Sequence, residues 1–323
     1  MVGLRSSATL RRMERLHDVD SLPLGVERSV VTVGFFDGVH AGHQAVIART
    51  VEAARSRGAP AVAVTFDRHP REILTPGQEP RLLTTVGRKA ELIHQHGIDV
   101  LLVLEFTEAF SQWPPEDFVS RILVEGLHAE HCVVGANFTF GHRARGDVDL
   151  LVTEGPAHGF TAERVELLEL DGRRVSSSSI REALAAGDLE WPLRATGRRF
   201  VLDGTVVGGA GRGHGLGFPT ANLRTWPRLL LPGRGIYAGS ATSHEIERVA
   251  AIDVGTNPTF GSEPLHAEAY LLEFDGDLVG RPISLEFWAR LRDEERFETP
   301  DQLSAAMAED VRRTREIVAP VTD

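Results

Sequence analysis

Two histidines three residues apart are the first side chains in this chain that could do chemistry together. His40 and His43 close the stretch Val31-Thr32-Val33-Gly34-Phe35-Phe36-Asp37-Gly38-Val39-His40-Ala41-Gly42-His43. Imidazoles can donate hydrogen bonds to phosphoryl oxygens as charge builds in a transition state. Gly42, between them, has no side chain to block a close phosphate. The β-branched run Ser29 to Val33 reads as a buried strand, and Gln44 to Arg57 reads as a helix rich in alanine. Gly34 and Gly38 let the backbone turn sharply around Phe35 to Asp37. The pair therefore falls where a strand hands over to a helix, at the end whose free N–H groups and positive dipole attract anions. Two surface histidines at a helix start would look the same on spacing alone.

Further polar strings punctuate the chain. Asp67-Arg68-His69-Pro70 and Gly135-Ala136-Asn137-Phe138 each follow a β run. Phe138 and Phe140 either border a flat ring or pack in the core. His142, Arg143 and Arg145 either meet a phosphate or form a solvated cluster. Val175-Ser176-Ser177-Ser178-Ser179-Ile180-Arg181 reads as an N-cap, and its hydroxyls, helix-end amides and Arg181 could also hold a triphosphate. From Gly208 to Gly217 six of the ten residues are glycine, at positions 208, 209, 211, 213, 215 and 217, so that successive backbone N–H groups could form an anion nest. Thr220 and Asn222, after the rigid Phe218-Pro219, are hard oxygen donors suited to a Mg2+ ion shared with ATP phosphates.

These strings together resemble the bacterial bifunctional FAD synthetases (riboflavin kinase/FMN adenylyltransferase), over roughly Leu16 to Asp310. Gly34 to Gln44 is similar to the H-x-G-H opening of the adenylyltransferase module. Val175 to Arg181 is similar to its I-S-S-T-x-I-R string, with Val175 and Ser178 at the Ile and Thr positions. Gly208 to Asn222 resembles the kinase signature G-x-x-x-R-G-R-x-L-G-F-P-T-A-N, with His214 where arginine is usual. Arg68 stands where F-D-P-H-P has its first proline. The resemblance implies an adenylyltransferase site for ATP and FMN with His40 and His43 catalytic and Gly34, Phe35, Asp37, Gly42, Asn137, Ser177, Ser178 and Arg181 binding. It implies a kinase site with Glu268 as base, Gly209, Gly211, Gly213, Gly217, Pro219, Asn257 and Arg292 binding ATP and flavin, and Thr220 and Asn222 holding Mg2+. ATP is then co-substrate, riboflavin the starting flavin, and FMN and FAD the products. The alternatives are a single-activity enzyme with one impaired module and a non-catalytic flavin carrier or regulator.

The elements that must position these residues fall into two halves. From Ser29 to about Ala186, β runs at Ala61–Phe66, Val100–Phe106, Cys132–Gly135 and Thr161–Leu168 alternate with helical stretches at Leu83–His96 and Pro114–Leu127. That alternation predicts an α/β doubly wound, Rossmann-like parallel sheet, with ligands outside the carboxyl ends of its strands. From Phe200 the pattern changes to short strands at 200–207, 235–242, 249–254, 265–272 and 283–291, which predicts an antiparallel β-barrel. Thr299-Pro300-Asp301-Gln302 then starts a terminal helix with a capping box. The expected domains are 16–186 and 187–323, with a helix-breaking linker at Gly187-Asp188-Leu189-Glu190-Trp191-Pro192. Met1 to Arg15 is expected to fray.

Charge and composition narrow the class. In 323 residues the net charge is −11, which predicts no nucleic-acid partner and no membrane-surface partner. A homo-oligomer is compatible with the sequence. The one cysteine, Cys132, excludes an intrachain disulfide and reads as a core thiol. The only lysine, Lys89, lies in an ordinary helical context, and no Walker P-loop is present. No 18-residue apolar run and no signal-like segment appears, so a cytoplasmic protein is expected.

Overall fold

The computed structural model describes residues 13–17, 27–208, 220–244, 246–256 and 265–318. They divide into two compact units. One holds the described residues up to Pro80 together with Val86–Arg174; the other holds Arg81–Thr85 together with the described residues from Val175 on.

The first unit is built on a six-stranded sheet in which every pairing is parallel. Its strands and main helices run β1 (Glu14–Leu16), β2 (Ser29–Val33), α1 (Ala41–Arg57), β3 (Ala61–Phe66), α2 (Val86–Gln95), β4 (Val100–Leu104), β5 (Ala129–Gly135) and β6 (Thr161–Val165). The sheet order is β1-β4-β3-β2-β5-β6. Alternate residues of one strand enter alternate cores. Val31, Val33, Val62, Val64, Cys132 and Val134 pack on one face, and Val30, Ala61, Ala63, Leu101 and Val133 pack with Val46 and Ile47 of α1 on the other. Burial pushes the Cys132 thiol up to about 12, so it is a core hydrophobe as its context predicts. The chain moves outward from β2 through β3 to β4 and then returns to β5 on the other side of β2. The loops after β2 and β5 thus open where the strand order reverses, the usual ligand crevice of such sheets.

Two elements depart from the sequence reading. Glu14–Leu16, expected to fray through Arg15, pairs along the free edge of β4, with Glu14 N–H donating to Asp99 O at 3.1 Å. Three residues carry too little periodicity to reveal such a strand. The helix expected from Pro114 starts as one α-turn, Pro115–Phe118, and continues over Val119–Gly126 with wider i→i+5 bonds, closing with Leu127 N–H on Ile122 O at 2.9 Å. That winding buries Phe118, Val119, Ile122 and Leu123 together.

In the second unit a six-stranded antiparallel sheet closes into a barrel. Its elements are α3 (Ser177–Ala185), α4 (Glu190–Thr196), β7 (Phe200–Val207), β8 (Thr220–Thr225), β9 (Gly235–Ser243), β10 (Ile246–Gly255), β11 (His266–Leu271), β12 (Pro282–Arg292) and α5 (Pro300–Ile317). The order around the barrel is β7-β8-β11-β10-β9-β12. β8 has no counterpart in the sequence reading, because only Leu223 of its six residues is fully buried in the barrel core. Arg81–Thr85 forms a short strap here. Leu82 N–H donates to Arg228 O at 2.7 Å, Leu230 N–H donates to Leu82 O at 2.8 Å, and Leu82 packs on the barrel core.

The expected linker does break the helix before it, for Gly187 takes a left-handed φ of 77° just after α3. It then folds into α4, burying Trp191. At α5, Thr299 caps through Gln302 N–H at 3.3 Å as expected, but the Gln302 side chain reaches back to Glu298 N–H at 3.1 Å, one residue before the position a capping box requires.

Candidate active sites

The loop after β2 is bent by three left-handed residues, Phe36 (φ 54°), Gly38 (φ 77°) and Val39 (φ 38°). Two of these are not glycine, so the turn is strained and must be held by its surroundings. Gly34 is required by close approach: a Cβ there would lie 2.9 Å from the ring of the buried Phe36. His40 is the N-cap of α1, and its Nδ1 accepts a long 3.4 Å hydrogen bond from His43 N–H. With Nδ1 accepting, Nε2 carries the proton in the neutral ring. The two imidazoles stack with centroids 3.6 Å apart and planes 19° apart, and His43 meets the Phe36 ring edge-on. Gly42 sits in the first turn of α1, where backbone N–H groups lack helical acceptors. Asp37 and His40 are both buried beside this turn.

The neighbouring loops converge as their strand ends predict. His69, after β3, meets the Phe35 ring edge-on at 4.8 Å. Asn137 follows β5 at the switch point, and a Cβ on Gly135 would lie 3.4 Å from its Oδ1 and 4.0 Å from Val46 of α1. Arg68 is engaged within its own loop, donating to Asp67 Oδ2 at 2.6 and 2.8 Å and lying 3.6 Å from Glu105. Burial works to raise the Asp67 carboxyl, but these bonds and the Phe106 N–H outweigh it and hold it below the usual range. Phe138 and Phe140 stack on each other and pack with the sheet core, which is the structural one of their two readings.

On the barrel a polar row crosses three strands at one level. Asn222 of β8 is in register with Glu268 of β11, and Glu268 with Asp253 of β10. Their neighbours Leu223, Ala267, Ala269, Ile252 and Val254 point into the barrel core, so by strand alternation the polar residues share its outer face. Thr220 Oγ1 donates to Glu268 Oε2 at 3.0 Å, and His266 Nε2 lies 3.2 Å from Glu268 Oε1. The Oδ1 of Asp253 is buried and accepts no hydrogen bond. Burial first, then the negative charges of Glu294 and Glu268, push its carboxyl up to about 7.

Comparison with known proteins agrees with both halves. The family model described as FAD synthetase matches residues 24–179, and the one described as riboflavin kinase matches 196–318. A bifunctional riboflavin kinase/FMN adenylyltransferase of Pseudomonas fluorescens is 39% identical over 292 residues, covering 90% of this chain and 93% of that one. The chain belongs to the bifunctional riboflavin kinase/FMN adenylyltransferase family. The relative of the same description from Escherichia coli strain K12 is 32% identical over 308 residues, covering 95% and 97% of the two chains. A crystal structure described as a macrolide-efflux protein from Streptococcus pneumoniae superposes with a TM-score of 0.82 at 26% identity, over 94% of this chain and 98% of that one. Among the described residues, no helix is long and apolar enough to cross a membrane.

Within this family's bifunctional arrangement, several expected site residues have a structural employment. Ser176 and Ser179 form the capping box of α3, Ser176 Oγ accepting from Ser179 N–H at 3.1 Å and Ser179 Oγ accepting from Ser176 N–H at 3.2 Å. Ser177 and Ser178 follow in its first turn, with Ser178 exposed. Arg181 Nε donates to Arg81 O at 2.6 Å. These three binding candidates belong to the compact unit that contains the barrel. Arg292 grips the buried Asp310 of α5 with both edges of its guanidinium, at 3.0 and 2.7 Å, which joins β12 to the terminal helix. Gly209, Gly211, Gly213, His214, Gly217, Pro219 and Asn257 lie outside the described residues.

One residue near the histidine loop escaped the sequence reading. Lys89 of α2 is 2% exposed and buried beneath Phe35, a setting that its ordinary helical context did not reveal. Its apolar neighbours in sequence, Val86, Ala90, Leu92 and Ile93, carry the only hint, since they mark α2 as a core-facing helix.

Proposed function

We propose that the barrel unit phosphorylates riboflavin with ATP to give FMN, and that the parallel-sheet unit adenylylates FMN to FAD with release of pyrophosphate. The observation that carries this reading is the Thr220–Glu268 hydrogen bond beside Asn222. It brings a carboxylate together with two hard oxygen donors on one barrel face, and the stacked His40/His43 pair follows β2 beside the switch point of the other unit, which supports the two-site reading.

In the kinase step the ribityl 5′-hydroxyl must lose a proton to attack the γ-phosphate, and Glu268 is the group proposed to take it. Thr220 and Asn222, two apart on β8 and so on one face, suit Mg2+ as part of a shell completed by ATP oxygens. The Thr220 hydrogen is already committed to Glu268, which leaves its oxygen lone pairs to a cation. When bound, the ion would neutralise charge on the phosphates. In the adenylyl step the FMN phosphate is already anionic and needs no base. The first-turn N–H groups of α1 and the His40 and His43 rings would stabilise charge on the α-phosphate, with Gly42 leaving room. Asp37, Asn137 and Phe35 would line that site. A cytoplasmic location completes the reading.

Purified protein given riboflavin, ATP and Mg2+ should yield FMN and then FAD on flavin chromatography. Glu268→Ala should abolish FMN formation and leave FMN-to-FAD conversion within about twofold. His40→Ala should do the reverse, lowering FAD formation by 10²-fold or more, on the order of losing one transition-state donor. Loss of both activities in either variant would overturn the two-site assignment.

A further inference from the structure

The buried ammonium of Lys89 has a geometry that explains the strained loop above it. Its Nζ donates to Phe35 O at 3.0 Å, to Thr65 Oγ1 at 2.9 Å and to Phe66 O at 3.2 Å. The Thr65 hydroxyl spends its own hydrogen on Phe35 O at 3.1 Å, so toward Lys89 it can only accept. Three acceptors around one nitrogen match the three hydrogens of an ammonium; a neutral amine would turn a lone pair toward one of them. Nζ also lies 4.3 Å from the centre of the Phe35 ring. One side chain therefore ties the residue that opens the histidine loop to the carboxyl end of β3. The next four residues include the left-handed Phe36, Gly38 and Val39, and then comes His40, the cap of α1.

The geometry points to Lys89 as a positioning residue for adenylyl transfer: its ammonium clamps Phe35 to the end of β3 and thereby fixes where His40, His43 and the first turn of α1 meet the α-phosphate. This rests on the adenylyltransferase reading of the first unit. Lys89 touches no reacting atom, so its effect is on the precision of the site, where small displacements are costly. Its charge is held against strong burial. Desolvation lowers it to about 8, and the nearby carboxylates of Asp37, from the β2 loop, and Asp67, from the β3 loop, push it back up. Asp67 is itself paired with Arg68. As pH rises through this range the ammonium becomes an amine, one clamp bond is lost, and adenylyl transfer slows.

Because Lys89 is the only lysine, 15N-lysine labelling gives a single Nζ signal that needs no assignment. In the full-length protein this signal should titrate near pH 8, two units or more below an ordinary lysine. Lys89→Met, which keeps the length and apolar stem, should lower kcat for FMN-to-FAD conversion by about 50-fold or more while KM for FMN and ATP stays within about threefold. Its riboflavin kinase rate should stay within about twofold, and the unchanged KM values report that the parallel-sheet unit still folds. The alkaline limb of the wild-type adenylylation profile should vanish in Lys89→Met. Lys89→Arg, which keeps a charge at pH 9, should hold its pH 9 rate closer to its pH 7 rate than the wild type does. An Nζ that titrates near the ordinary lysine value, an unchanged FAD-forming kcat in Lys89→Met, or an alkaline limb that persists there would overturn the proposal alone. A wild type that makes no FAD would overturn the adenylyltransferase reading and the proposal with it.

Discussion

A carboxylate oxygen sealed from water without a donor is costly, and Asp253 carries one on the outer face of the barrel. Its folded value near 7 lies above that of an exposed aspartate, so between pH 4 and 7 the folded chain binds more protons than the unfolded one. Stability from this group is therefore fully present below pH 4 and is lost as pH rises through 7. Asp253→Asn removes the charge and keeps the shape. By calorimetry its melting temperature should exceed that of the wild type, by a margin that widens from pH 5 to pH 8. A margin that narrows over that range would show that Asp253 ionises in the fold without penalty. At this scale His40 and His43 were legible because their chemistry is local: cap, ring stack and first turn lie within four residues. Lys89 was not, since its partners Thr65 and Phe35 lie 24 and 54 positions away. Nothing in the local sequence of Val86–Gln95 announces a buried ammonium.

Elements were read well where both cores enforce a pattern. β2, β3 and β4 show unbroken apolar or β-branched runs, and all five expected barrel strands exist within a few residues of their expected limits. β1 and β8 were missed because each is held by pairing to a neighbour more than by its own apolar content. Arg292 is a different case: a family position suggests a ligand role, and the geometry adds a join between elements. Its guanidinium reaches from β12 to Asp310, whose side chain is almost fully buried in α5. Arg292 is raised above the ordinary arginine range by Asp310 in spite of its own burial, as expected for a committed pair. Asp310→Ala would leave that guanidinium half-buried without its carboxylate. The denaturant midpoint should fall by the equivalent of about 3 kcal/mol, the lower end for breaking a buried pair. Arg292→Met with Asp310→Leu should recover part of the loss. If Asp310→Ala melts like the wild type, the pair is ornamental and Arg292 returns to the pool of ligand residues.

At the scale of the whole chain, the sequence division at 186/187 and the compact units differ over the strap 81–85 and over residues 175–186. The FAD synthetase match runs through 179 and the riboflavin kinase match begins at 196, so homology keeps 175–179 with the first half and leaves 180–186 open. Physical contact favours the barrel as the partner of α3. Gly233 N–H donates to Leu184 O at 2.7 Å, and a Cβ on Gly233 would lie 2.6 Å from Ala185 O, so the two backbones touch. Trp191 Nε1 donates to Ser179 Oγ at 3.2 Å, tying α4 to α3. Gly187 packs so closely on β12 that a Cβ would meet Arg290 Nε at 2.7 Å. A fragment of residues 187–323 therefore begins too late. It exposes the Gly233 turn and the buried side of Trp191, whereas a fragment of residues 175–323 keeps both covered. The longer fragment should melt about 2–4 °C higher for each kcal/mol these contacts contribute, and it should phosphorylate riboflavin at a rate nearer that of the full chain. Equal melting and equal kinase rates would return α3 to the parallel-sheet unit, and with it Ser177, Ser178 and Arg181 to the adenylyltransferase site that the resemblance implies.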